Sequence, residues 1–184
     1  MQYAKARIKE SFLKLLEEHP LSKITVRSIV EDCGVNRNTF YYYFEDIPSL
    51  LVEITQEEID RIANEHGAID NLEDGLLEAI QFAVKHRRAA FHIYHSENRD
   101  IYERYIWKIC DYIIQTYFDT AFPDRDVSPE DEALIKEYYK SLSYGLLVNW
   151  LENGLKSDIT ASISRLSRLL QGQTAELFRR SREI

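Results

Sequence analysis

Two groups of side chains in this sequence are spaced so that they could do chemistry. The first is an imidazole pair, His92 and His95, with Glu97 close behind. An i,i+3 spacing puts both rings on one face of a helix, where a metal ion could sit. No HExxH accompanies them and no third ligand follows at a telling spacing, so a bound metal is not expected. The second is the stretch NRNTFYYYFED, residues 36–46. Arg37 has the donor fork that grips the O6 and N7 edge of guanine, and Asn36 and Asn38 have the amide that does the same for adenine. Thr39 and the tyrosines offer hydroxyls to phosphate oxygens and flat rings to sugars or thymine methyls. Catalysis has no comparable signature. There is no GxSxG, no Walker loop and no set of Rossmann glycines, and the Ser, His and Asp residues single out no triad. An enzyme is not expected, nor a cofactor.

The five consecutive rings, Phe40 to Phe44, cannot all be buried by one helix. At about 100° per residue, Phe44 falls beside Phe40, and Tyr43 lies nearer that side than Tyr41 and Tyr42 do. Phe40 and Phe44 can pack inward. Tyr41 and Tyr42 share the outward side with Arg37, Asn38 and Thr39. Two readings stand: the tyrosines form a second layer of core under the following helix, or they form a surface kept for a partner. The polar outward neighbours favour the partner.

The elements that must hold this stretch are helical. Ile8, Phe12, Leu15 and Leu16 recur at helical spacing from about Tyr3 to His19, and Pro20 ends that helix. Thr25 can cap a short second helix whose apolar face is Val26, Ile29 and Val30, and Gly34 can stop it in the left-handed conformation. Asn36 can cap a third helix to about Phe44. Asp46 can cap a fourth, with Pro48 tolerated in its first turn, running to Gly67. Two short helices joined by Cys33-Gly34-Val35 have the proportions of a helix-turn-helix. Farther on, Asp70-x-x-Glu73 suggests the start of another helix, and one more begins after Asn98. Phe122 to Val127 reads as a loop. Ser128-Pro129-Glu130-Asp131 is a strong start for a helix to Asn153, capped by Gly154, and Ser157 starts a last helix to about Arg180. No long stretch alternates with period two, so the fold class expected is all-α.

The bulk numbers set the partner problem. The chain has 184 residues and a net charge of −8, and an acidic body repels phosphate. Residues 1–50 carry seven Lys/Arg and seven Asp/Glu and are neutral, so the whole excess lies in residues 51–184. A neutral head on an acidic body suits a partner that touches only the head. Cys33 and Cys110 form no framework, which points to a reducing compartment. With no apolar leader and no apolar stretch long enough to span a bilayer, a cytoplasmic protein is expected.

Residues 24–50, ITVRSIVEDCGVNRNTFYYYFEDIPSL, resemble the DNA-binding signature of the TetR family of transcriptional repressors. The shared core is T-x-x-x-I-x-x-x-x-G-V-x-x-x-T-[FL]-Y-x-[YH]-F, and it covers about the first quarter of the chain. The resemblance implies a head at residues 1–46 and an effector-binding and dimerisation body at residues 47–184. It implies that Thr25 meets a phosphate, and Arg27 a phosphate or a guanine edge. The alternative for Arg27 is an exposed pair with Glu31 at i+4. Arg37 and Asn38 open the recognition helix as base readers, beside Asn36. Thr39, Tyr41 and Tyr43 match backbone-contacting positions, and Tyr42 the variable base-facing one. Lys5, Arg7 and Lys9 would add backbone contacts or form a solvated face. One position departs: the family often has Lys just inside the fourth helix, where this sequence has Ile47.

For the body, the family pairs its last two helices with those of a second copy. That implies a homodimer on a palindromic DNA operator, through Tyr138, Leu142, Leu146, Trp150, Ile163, Leu166 and Leu170, with Gly145 permitting close approach. Read alone, those stripes suit ordinary core equally well. The middle helices are rich in rings, and the family uses this region for a small-molecule effector. Phe82, His86, Tyr105, Tyr112 and Tyr144 are candidates to line such a pocket, with core packing as the alternative. The function implied is a repressor released from its operator by a ligand. The alternatives are a DNA-binding regulator without an inducer and a helical interaction module that does not bind DNA.

Overall fold

The protein is described by a computed structural model covering residues 2–65 and 68–183. Those residues form ten α-helices and one 3-10 turn, with no strand, in keeping with the all-α expectation. None of these helices is long and apolar enough to cross a membrane. The chain packs as two compact units, residues 1–61 with 82–105, and residues 62–81 with 106–184.

In the first unit, α1 (Gln2–Glu18) buries Ile8, Phe12 and Leu16. It packs on α2 (Val26–Cys33), α3 (Arg37–Tyr43) and α6 (Arg87–Tyr94). Pro20 ends α1, and a 3-10 turn, Leu21–Lys23, carries the chain to Thr25. The Thr25 hydroxyl accepts the Ser28 amide at 3.1 Å, and the Ser28 hydroxyl accepts the Thr25 amide at 2.9 Å. The expected cap is therefore half of a reciprocal box. Gly34 closes α2 at φ 65°, where a side chain would be strained. Asp46 Oδ1 accepts the Ser49 amide at 2.7 Å and opens α4 (Ile47–Glu65). Gly67, the expected end of α4, lies outside the described residues. The short α6 went unread in the sequence because eight residues are too few for a helical period to register.

The second unit draws on α5 (Leu72–Lys85), α7 (Arg99–Ala121), α8 (Pro129–Glu152), α9 (Ile159–Leu169) and α10 (Gln173–Ser181). Its core holds Ile114, Phe118, Ile135, Tyr139 and Phe178, with the Phe118 and Phe178 rings edge to face at 5.8 Å. Arg125 fastens the connection from α7 to α8. It donates to the Phe118 and Phe122 carbonyls at 3.1 and 3.0 Å and to Asp119 and Glu132 at 3.0 and 2.6 Å.

Three sequence expectations are corrected here. Asn71, not Asp70, opens α5, its Oδ1 accepting the Asp74 amide at 2.8 Å. Asp158, not Ser157, caps α9, accepting the Ala161 amide at 3.0 Å. The single last helix is two, because Gly172 adopts φ 81° and breaks the run between α9 and α10. At the corner after α8, Gly154 (φ 70°) is followed by Leu155 at φ 56°. A leucine there costs about 1–3 kcal/mol of backbone strain. Its side chain is fully buried, and that burial holds it in place.

Candidate nucleic-acid interface

The helix-turn-helix geometry comes from three local devices: the Thr25–Ser28 box, the left-handed Gly34, and the Asn36 cap. Asn36 Oδ1 accepts both the Thr39 amide at 2.8 Å and the Thr39 hydroxyl at 3.0 Å. These fix where α3 begins, and so where Arg37 and Asn38 stand.

Along α3 the aromatic run divides. Phe40 is 0% exposed and Phe44 3%, whereas Tyr41 is 47% exposed and Tyr42 68%. Phe40 and Phe44 pack against each other at 5.6 Å in the core of the unit. Tyr42 stands edge-on to the half-buried Tyr43 at 4.9 Å. Thr25, Arg27, Asn36, Arg37 and Asn38 are exposed, and Thr39 half-buried. The Arg37 guanidinium lies over the Tyr41 ring at 5.5 Å and donates to its hydroxyl at 3.2 Å. That contact aligns the two side chains without burying either. Arg27 pairs with Glu31 at 2.7 Å, the alternative read from the sequence. Both groups are exposed, so solvent screens the pair and a phosphate could compete for the arginine.

The other cations of α1 differ in what they are free to do. Lys5 and Lys9 both bond Glu53 on α4, and Lys14 bonds Asp32 on α2. These ties hold the bundle together. Arg7 instead lies over the Tyr3 ring at 5.7 Å and reaches the turn at Gly34. Ser28 was missed from the sequence; a serine three residues after a capping threonine is the signal that could have found it.

In the second unit a cavity of about 710 Å³ opens among α5, α7, α8, α9 and α10. Leu72, Leu76, Tyr117 and Phe122 contribute to its wall, with Tyr139 bonded to Thr174 at 2.8 Å. None of the five ring candidates lines it. Phe82 lies tilted against His86 at 5.0 Å, and Tyr105 is buried against Tyr102 at 5.5 Å. Tyr112 donates to the Ala63 carbonyl at 3.4 Å, and Tyr144 stands edge-on to Trp107 at 5.3 Å. Each ring has a packing role, which is the alternative the sequence left open.

The seam candidates also separate. Tyr138 is 44% exposed, and Leu142, Leu146, Leu166 and Leu170 are half-buried. Trp150 and Ile163 are 5% and 2% exposed, covered within their own protomer, so little of either remains for a partner. Trp150 Nε1 is bound to the Ser157 carbonyl at 3.1 Å. Cys110 is buried and its thiol is pushed up to about 12, chiefly by loss of solvent. Among the described residues, no three His, Cys, Asp or Glu side chains are grouped to hold a metal. His92 and His95 instead bond the carbonyls of Leu16 and Phe91.

Two family models match the sequence. Residues 12–54 match bacterial regulatory proteins of the tetR family, and residues 70–172 match a transcriptional regulator C-terminal region of the same family. The chain belongs to the TetR family of transcriptional regulators.

Among known relatives of this TetR-family chain is an uncharacterized HTH-type transcriptional regulator, YxbF, of Bacillus subtilis (strain 168). It is 29% identical over 83 residues, which are 45% of this chain and 18% of that protein. The chain thus spans less than a fifth of that relative's length. Among solved structures, the dihydroxyacetone kinase operon activator DhaS superposes with a TM-score of 0.77 at 16% identity, covering 94% of this chain and 97% of its own. The transcriptional regulator FadR from Bacillus subtilis, in complex with stearoyl-CoA, superposes with a TM-score of 0.61 at 16% identity, covering 90% and 96%. At these identities the likeness shows a shared fold.

Proposed function

We propose that this TetR-family regulator is a cytoplasmic homodimer that binds a palindromic DNA operator and represses transcription until a small molecule releases it. Residues 1–46 serve as the DNA-binding head and residues 47–184 as the effector and dimerisation body. Arg37 and Asn38 read base edges, and Tyr42 faces the bases. Thr25, Arg27, Thr39, Tyr41 and Tyr43 hold the backbone, and Asn36 sets the register of α3. The observation that carries this reading is the division of the aromatic run. Two rings are sealed in the core while Tyr41 and Tyr42 stand open among donors and acceptors. With Ile47 in place of a lysine, the phosphate contact at the start of α4 is lost, because Pro48 has no N–H and the Ser49 amide is already held by Asp46.

Dimerisation through Tyr138, Leu142, Leu146, Leu166 and Leu170 would place two α3 helices about one helical turn of DNA apart, ~34–36 Å. The cavity beside these leucines lies within the roughly 300–1,000 Å³ range that suits small ligands. Its wall joins leucines and aromatic rings to polar and charged groups, Glu73, Asp74 and Arg168 among them, which favours an amphipathic molecule. That FadR holds stearoyl-CoA supports acyl compounds as the first to be tried. A ligand there weakens DNA binding only by its preference for one of two states.

A second reading keeps the DNA head and dispenses with the inducer. It is favoured by the five ring candidates, each engaged in packing. A thermal-shift screen separates the two readings: stabilisation by an acyl compound supports the first, and no response from any chemical class supports the second. The head itself is tested by selecting fragments from random duplexes with the purified protein. A palindrome is the expected result. Unchanged affinity for every duplex in both Arg37→Ala and Tyr42→Ala would overturn the assignment.

A further inference from the structure

The C-terminal turn of α1 contains an acceptor that its own helix cannot satisfy. In an α-helix the Leu16 carbonyl takes its hydrogen bond from the amide of residue 20. Residue 20 is proline and has no N–H. Leu16 is itself 0% exposed. The oxygen is met by His92 of α6, 76 residues away in sequence, whose Nδ1 lies 2.7 Å from it. A carbonyl can only accept, so this imidazole carries its proton on Nδ1. Six residues earlier, His86, the residue before α6, brings its Nδ1 to 3.4 Å from Glu17 Oε1. Thus α6 bonds the end of α1 through His92, while His86 only approaches the neighbouring Glu17. His92 is not explained by packing alone, since Leu or Phe would fill the same space and leave the Leu16 carbonyl bare.

We propose that His92 is the positioning residue that ties α6 to the first helix of the DNA-binding unit, its Nδ1–H standing in for the amide that Pro20 lacks. The proposal rests on the DNA-binding reading above and names a contact through which that reading would be regulated. α6 is joined in sequence to α5 on one side and α7 on the other. A displacement of α6 must either carry the end of α1 with it or leave a buried carbonyl without a donor. The second course is costly, so α6 and α1 move together. Because α1 packs on α2 and α3, a shift of α6 becomes a shift of the recognition helix.

The prediction is specific to the hydrogen bond, and the full-length chain tests it with four variants. His92→Ala removes the donor, and His92→Asn keeps a donor near the Nδ1 position. Pro20→Ala returns the missing amide, and Pro20→Ala/His92→Ala combines the two. Affinity for a selected operator duplex is measured well below each variant's melting temperature, alongside hydrogen exchange of the amides in the last turn of α1. His92→Ala should bind on the order of ten-fold more weakly, as the untied end of α1 shifts population away from the conformation that fits DNA. It should also exchange faster at the end of α1. His92→Asn and the double variant should recover both. Affinity in His92→Ala equal to wild type, or a double variant that regains thermal stability but not affinity, would overturn the proposal. If the wild type selects no duplex at all, the DNA-binding reading fails instead. Exchange then decides on its own, and equal protection of α1 in His92→Ala and wild type would refute the tie.

Discussion

Asn36 and Thr39 are joined twice, the asparagine oxygen taking both the amide and the hydroxyl of the threonine. The residue that starts the recognition helix is therefore occupied with its own backbone, although its position also suited it to touch DNA. Aspartate caps a helix about as well as asparagine does, while adding a negative charge where phosphate would lie. Asn36→Asp should leave the melting temperature close to wild type and weaken operator binding. Asn36→Ala should lose about 1 kcal/mol of stability. Urea unfolding and a gel-shift titration on the same preparations distinguish the two effects.

The divided aromatic run gives a sharper contrast two residues apart. Phe40→Ala opens a hole in a fully covered core and should cost about 3–5 kcal/mol, enough to threaten folding. Tyr42→Ala removes an exposed ring and should change stability by no more than about 0.5 kcal/mol. Its operator affinity should nonetheless fall. Chemical denaturation checks the first statement and fluorescence anisotropy on labelled duplex the second. A Tyr42→Ala protein as unstable as Phe40→Ala would mean that the ring is core.

The Arg125–Glu132 contact predicts an acid limb in the stability curve. Hydrogen bonds from Arg125 and then Lys136 hold the Glu132 carboxyl down at about 2, against 4.5 in an unfolded chain. The group is depressed on folding, so its contribution is fully present above pH 4.5 and is lost as pH falls toward 2. Glu132→Gln should lower the melting temperature at pH 7 and flatten its dependence on pH over that window. Melting curves between pH 2 and 7 for both proteins provide the check.

Two helical glycines should respond oppositely to alanine. A Cβ on Gly75 would sit 2.6 Å from Ile113 Cγ2, so Gly75→Ala must push the core apart and should cost about 1–3 kcal/mol. Gly145 meets nothing within 4 Å in the protomer. Gly145→Ala should stabilise the isolated protomer by about 0.5–1 kcal/mol through lower backbone entropy when unfolded. If a second copy packs there, the same methyl weakens the dimer. Sedimentation across a dilution series, read beside the melting temperature, separates those contributions.

What could be read from the sequence depended on how local the cause was. Thr25, Gly34, Asn36, Asp46 and Ser128 act through their own backbone neighbours, so residue type and spacing suffice to place the helix ends they govern. The starts of α5 and α9 slipped by one position because two adjacent polar residues can each cap, and residue type alone does not choose between Asp70 and Asn71, or Ser157 and Asp158. Trp150 and Ile163 show a different limit. A helical stripe tells which face is apolar, but not whether the same chain or another one covers it. The rings of the middle helices meet the same limit, since Tyr105 at core spacing reads like Tyr105 at pocket spacing.

The corner at Leu155 has a consequence for how the seam leucines are presented. Backbone preference alone would not send the chain from α8 into α9 in this direction; a side chain locked in the interior does. The heading of α9, and with it the spacing of Leu166 and Leu170 from Leu142 and Leu146, is therefore written by interior fit and not by a flexible link. A change in that interior would alter how far apart these four leucines stand.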